Sequence, residues 1–182
     1  MSVTEFATLQ LISPHTLQSD IVADIFEKAG TRQAAYSSYP VHLFTNVADA
    51  SMVYLISGWK DAEDHMQYMG NEENQKVMGG IVEYLTIKSL LHPVIDFTTF
   101  PEHDIWVVTV EKYAADSGAG GLGENNTNLP SAKWAGAGID AETNEGYKIS
   151  VYGQEEGIAI LPFAGDEGSG ISVLRRVNTF RK

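Results

Sequence analysis

The sequence predicts an α+β fold, a β-α-β-β-α-β half followed by a second half made mostly of strands. Three observations carry this. Apolar residues recur at three- and four-residue spacing over 17–29 and again over 77–85, the pattern of amphipathic helices. Stretches rich in β-branched and aromatic residues stand before, between and after them. Beyond residue 100 the texture changes: twelve of the seventeen glycines fall there, and no long amphipathic pattern does. A chain of 182 residues suits one compact domain or two small ones sharing a core. The expected division is 1–100 for the α+β domain and 101–182 for a β-rich half packing on it.

Residues 5–12, "EFATLQLI", read as the first strand. Ser13 can cap a following helix, with Pro14 at its first position, where a missing N–H costs nothing. Leu17, Ile21, Val22, Ile25, Phe26 and Ala29 form one apolar face, and Gly30 reads as the stop. Residues 41–47 and 51–59 read as an antiparallel hairpin. Asp61 caps the next helix, which carries His65, Met66 and Met69; Gly70 and Asn71 break it from a second helix with Val77, Met78, Ile81, Val82 and Leu85. Gly79 and Gly80 weaken that second helix or admit close approach of a neighbour. Residues 89–97, "SLLHPVIDF", close the half as a strand that Pro93 places at an edge or bulge.

In the second half, strands are expected at 104–113, 133–139, 146–152, 157–163 and 171–180. The stretch 117–130 contains "GAGGLG" but lacks the lysine and hydroxyl residue of a phosphate loop, and reads as a plain loop. Residues 46–64 and 138–157 echo each other, with Tyr54-Leu-Ile-Ser against Tyr147-Lys-Ile-Ser. The second half therefore reads as a degenerate repeat of the first, stripped of its helices.

Charge narrows the function classes. Twelve basic residues against twenty-four acidic ones give a net charge of -12, which disfavours nucleic acid and anionic membranes as partners. Arg175, Arg176, Arg181 and Lys182, the one basic cluster, read as a solvated face. Without cysteine there is no disulfide, thiolate zinc site or thiol nucleophile. No signal peptide and no apolar run near the roughly 18 residues of a spanning helix is evident, so a cytoplasmic protein is expected.

Residues 54–96, with the strand ending Gly58-Trp59, the acidic turn, His65, "EENQ" and "LLHPVID", resemble the antibiotic biosynthesis monooxygenase-like branch of the dimeric α/β-barrel superfamily. The resemblance covers about residues 3–100. It implies a ferredoxin-like half-barrel whose open sheet face meets a second sheet. It also implies a small-molecule pocket between sheet and helices and a homodimer, unless the second half supplies an internal partner. Members include cofactor-independent monooxygenases of aromatic polyketides, cyclases, haem-degrading enzymes and proteins without established activity. In the quinone-forming monooxygenases, tryptophan, tyrosine, asparagine and arginine groups hold the substrate. Trp59 fits the tryptophan and Tyr68 is a nearby phenol, but no arginine occurs between Arg32 and Arg175, a departure from that pattern.

The candidate catalytic groups are His65, His92 and Tyr68. An imidazole moves protons near neutrality, and a phenol can orient a carbonyl. Each has a structural alternative, a buried histidine bonded to backbone or a packing tyrosine. Strand alternation places Leu90, His92 and Val94 on one face. Trp59 is expected as a pocket wall, His42 as a group facing the same cavity, and Met66 and Met69 as adaptable flanks. The three histidines have no compact metal spacing, no cofactor fingerprint is present, and the acidic residues read as solvated surface. The expected function is a cofactor-independent enzyme acting on an apolar aromatic or polyketide-like substrate by oxygenation, cyclisation or proton transfer. The alternative is a non-catalytic barrel for ligand binding or subunit association.

Overall fold

A computed structural model describes residues 2–117, 130–140, 142–164 and 171–182. The first half runs β1 (Val3–Leu11), α1 (Asp20–Ser37), β2 (Val41–Asn46), β3 (Met52–Trp59), α2 (Ala62–Gly70), α3 (Glu72–Ile81) and β4 (Leu85–Leu91). The second runs β5 (Val107–Ala114), β6 (Trp134–Ile139), β7 (Glu145–Tyr152), α4 (Gln154–Ile160) and β8 (Ile171–Phe180). Residues 118–129 of the expected glycine-rich loop lie outside the described residues.

All strands join one antiparallel sheet in the order β4-β1-β3-β2-β8-β5-β7-β6. Each half contributes the same order, with β1 to β4 answered by β5 to β8, so the second half repeats the first in topology. The outer strands meet where Pro93 bridges Asp140 and the Val94 N–H donates to the Ile139 carbonyl at 3.1 Å. That seam closes the sheet into a barrel within one chain. The fold is the ferredoxin-like α/β barrel that the sequence predicts.

Period-two alternation sorts the strands. Phe6, Phe44, Tyr54, Ile56, Leu91, Val108, Val110, Ile149 and Leu174 point inward and fill the barrel with Ile95, Phe97 and Phe100. Leu9, Leu11, Val41, Leu43 and Val53 point outward and pack against Val22, Phe26 and Ala34 of α1 and Ile81 of α3. A smaller cluster of Val107, Tyr152, Ile160 and Val173 lies under α4. No helix is long and apolar enough to cross a membrane among the described residues.

Several boundaries differ from expectation. Helix α1 begins at Asp20, not after Ser13, and runs through Gly30, whose bare Cα accommodates the Phe180 ring. Strand β4 begins at Leu85, a residue that the sequence pattern places on the helical stripe, and ends before His92. Residues 157–163, expected as a strand, form the end of α4 and a 3-10 turn. Gly157 there lets the Trp106 ring lie against the helix. Gly79 and Gly80 face open space, so no close approach explains them.

Candidate active site

Strand β1 places Glu5 on the outer face, beside Ser57 and near Trp59 on β3. Helix α1 lays Gln33 over it. One carboxylate oxygen, Oε2, accepts from Gln33 Nε2 at 2.5 Å, Trp59 Nε1 at 2.6 Å and the Ser57 hydroxyl at 2.7 Å. Oε1 makes no such bond and lies 3.8 Å from His65 Nε2, beyond hydrogen-bond reach. Glu5 is 3% exposed, which corrects the reading of the acidic residues as uniformly solvated surface.

Asp61 starts α2 by accepting the Asp64 N–H, so His65 falls one turn in, over the end of β3. Its imidazole stacks on Trp59, and its Nδ1 lies 2.6 Å from Nε2 of His92. One of these nitrogens donates. With the proton on His92 Nε2, His65 carries its own on Nε2, facing the Glu5 carboxyl. The opposite arrangement points a lone pair at Glu5 and strands a buried N–H on His92 Nδ1, which has no partner. The first arrangement is therefore favoured. Burial holds the His65 pKa below that of an ordinary histidine; His92 acts in the same direction, while Glu5 and Asp64 oppose it.

A cavity of about 80 Å³ lies between the sheet and α1, α2 and α3. Its walls are mainly apolar, including Leu9, Phe26, Leu55 and Met78, and its polar edge is Glu5, Gln33, His65, Tyr68 and Asn74. Tyr68 and Asn74 are buried, yet the Tyr68 hydroxyl and the Asn74 side-chain oxygen bond to nothing among the described residues. Burial raises the Tyr68 pKa, with Glu5 adding and Arg32 opposing, so the phenol stays protonated and able to donate. Arg32 of α1 pairs with Glu73 of α3. A cation thus stands near Tyr68 although the stretch from 33 to 174 holds no arginine.

The structure brings His65, His92, Tyr68 and Trp59 together, and Met69 lines the cavity. Trp59 is not a cavity wall: it lies behind His65 and braces it. His92 likewise touches the cavity only through His65. Met66 is 56% exposed and faces solvent, because helical spacing turns it away from the face that carries His65 and Met69. His42 does not share the cavity. It points into the barrel among Phe44, Phe97 and Phe100, with Nδ1 at 3.0 Å from the Thr179 hydroxyl, on the opposite sheet face from His65. Glu5, Gln33 and Asn74 went unread in the sequence. Among the described residues, no three His, Asp or Glu side chains are grouped to hold a metal ion.

The repeat has one such site. Opposite Ser57 stands Glu5, whereas opposite Ser150, at the same place in the second half, stands Thr109. Trp59 is answered by Tyr152. His65 lies four residues beyond the cap of α2, and the residue four beyond the cap of α4 is Gly157, covered by Trp106.

No protein-family model and no curated protein matches the sequence. Solved structures do match in fold. A proposed monooxygenase from Lactobacillus acidophilus NCFM aligns over 99% of this chain and 96% of its own, at 13% identity and a TM-score of 0.61. An anthrone oxidase-like protein aligns over 97% and 92%, at 14% identity and 0.63. A mutant chlorite dismutase from Candidatus Nitrospira defluvii aligns over 97% and 91%, at 13% identity and 0.56. This range of names on one architecture means that function has to be argued from the site.

Proposed function

We propose that the chain is a small-molecule enzyme, working without a bound cofactor, that takes a proton from an apolar aromatic or polyketide-like substrate. The observation that carries this reading is the set of unbonded polar groups, Glu5 Oε1, the Tyr68 hydroxyl and the Asn74 side-chain oxygen, on buried side chains facing an apolar cavity. None of these three atoms is sealed off: each opens onto the cavity, where a polar group of a bound molecule can reach it. Glu5 Oε1 serves as the base. The His65 Nε2–H and the Tyr68 hydroxyl stabilise the oxyanion that develops when the ring is deprotonated. Trp59 and His92 hold His65 in place.

Oxygenation is the first reaction to try, given the names of the fold's other members. A ring CH₂ made acidic by a conjugated carbonyl loses its proton to Glu5, the carbanion combines with dioxygen and a proton to give a hydroperoxide, and loss of water leaves a carbonyl. The balance is CH₂ + O₂ → C=O + H₂O. An engineered apolar cavity of about 150 Å³ accepts benzene, so a ring here has to displace Met69 and Met78, which are pliable. The test uses a hydroxyanthrone in air, following quinone absorbance and dioxygen uptake. The wild type is expected to accelerate both, and His65→Gln to stay folded while losing about 10²–10³-fold in turnover, the cost of one oxyanion donor. Unchanged turnover in a folded His65→Gln variant overturns the assignment.

A second reading, a non-catalytic barrel for ligand binding or subunit association, is favoured by the small volume of the cavity. It predicts hydroxyanthrone-induced thermal stabilisation without quinone formation. The second half stands where a partner's sheet would close the barrel, so a homodimer is not needed for closure; sedimentation distinguishes the two states.

A further inference from the structure

We propose that Asp140, on the second repeat, is a positioning residue that holds His92 against His65 across the barrel seam. This rests on the reading of the Glu5–His65–His92 array as the working part of the site. Asp140 is fully buried. Its Oδ2 accepts the backbone N–H of His92 at 2.6 Å. Its Oδ1 accepts from Glu142 N at 3.2 Å, Thr143 N at 2.8 Å and the Thr143 hydroxyl at 2.9 Å. One carboxylate therefore ties the β6–β7 turn to the residue after β4.

The need for such a tie follows from the histidine itself. His92 Nδ1 has no partner, so no side-chain bond on the far side of the ring fixes its orientation. Only the stretch of backbone that carries it can. That stretch is fixed at three further points: Pro93 restricts the conformation of His92 from behind, the Pro93 carbonyl accepts from the Thr4 N–H at 3.3 Å, and the Val94 N–H is bonded to the Ile139 carbonyl. Two of the four restraints, from Asp140 and Ile139, come from the second repeat, and both lie on the seam. The first repeat holds the reacting groups; the second sets the distance between two of them.

The test is histidine titration by ¹⁵N NMR on the full chain without substrate. Asp140→Asn keeps an oxygen for the turn but turns an NH₂ toward the His92 N–H. The expected result is a rise of about one pH unit in the His65 midpoint, because His65 loses the donor that favours its neutral form. Thr143→Val removes a bond to the same carboxylate and leaves Oδ2 alone; it is expected to lower the melting temperature with the His65 titration unchanged. Wild-type titration in folded Asp140→Asn overturns the proposal, as does an equal shift in Thr143→Val. Should Asp140→Asn fail to fold, Asp140→Glu carries the test with the same expected shift and the same overturning result. Absence of any turnover by the wild type would count against the proposed function and leave this result to be read on its own.

Discussion

The indole of Trp59 lies on the imidazole of His65, with ring centroids 4.3 Å apart and planes 19° from parallel. The same indole donates its N–H to Glu5. One side chain thus supports both groups that face each other at the cavity. Trp59→Phe keeps an aromatic ring but removes one of the three donors to Glu5 Oε2, an expected cost of about 1–3 kcal/mol. Trp59→Ala also empties a fully buried site, an expected cost of about 3–5 kcal/mol. Urea unfolding of the two variants checks this; equal losses would mean that the hydrogen bond contributes everything and the packing nothing.

Glu5→Gln separates the structural from the chemical role of the carboxylate. The amide oxygen can take the place of Oε2 and keep all three donors. The amide NH₂ then faces His65 Nε2 and draws its proton round to Nδ1. The expected outcome is a folded protein whose His65 ¹⁵N shifts report the exchanged tautomer, with turnover of the hydroxyanthrone probe reduced about 10²–10⁴-fold. A retained tautomer would show that Glu5 does not direct the His65 proton.

What the sequence shows of this site depends on how local each signal is. His65 and Met69 share a helical face by four-residue spacing, and Leu90 and His92 share a strand face by alternation; both relations are visible without a structure. Glu5 is not visible in the same way. It sits in an ordinary strand, and its burial comes from Gln33 and Trp59, residues far along the chain. His42 shows the converse limit. Alternation gives the residues that share its face, but only the assembled barrel decides which face looks inward. Tyr54 and Tyr147 stand third in the equivalent strands β3 and β7, so their echo marks the repeat, whereas "GIAILPF" reads as a strand because it is short and apolar throughout.

Two glycine replacements should act in opposite directions. Gly79 lies in the last turns of α3, and an added Cβ meets nothing within 4 Å. Gly79→Ala is expected to stabilise by up to about 1 kcal/mol through helix propensity and a less flexible unfolded chain. Gly30 lies inside α1, where the same Cβ overlaps the Phe180 ring. Gly30→Ala is expected to destabilise by about 1–3 kcal/mol as that ring is pushed from its place. Thermal melts of the pair check the assignment. Destabilisation by Gly79→Ala would mean that α3 needs the flexibility at that point.

Acid should weaken the fold through its buried histidines. Burial lowers the His42 pKa to about 3, and Arg176 and Arg181 act in the same direction. Around it stand Phe44, Phe97, Phe100 and Thr179, none of which offers a carboxylate. The His65 pKa is lowered as well. Above pH 6.5 both groups are neutral in the folded and unfolded chain, and their contribution to stability is complete. Below it the unfolded chain gains protons that the folded chain refuses, so stability falls with pH, for His42 until about pH 3. Each such histidine contributes at most about 1.4 kcal/mol per pH unit. Between pH 6.5 and 5 the carboxylates of Asp96, Asp140 and Glu145, whose pKa values are lowered, stay ionised. His42→Gln, which can still bond Thr179, should remove its share of the slope in urea-unfolding free energy across that window. The double variant His42→Gln/His65→Gln should have a shallower slope than either single variant. A double variant with the wild-type slope would place the acid sensitivity elsewhere in the barrel.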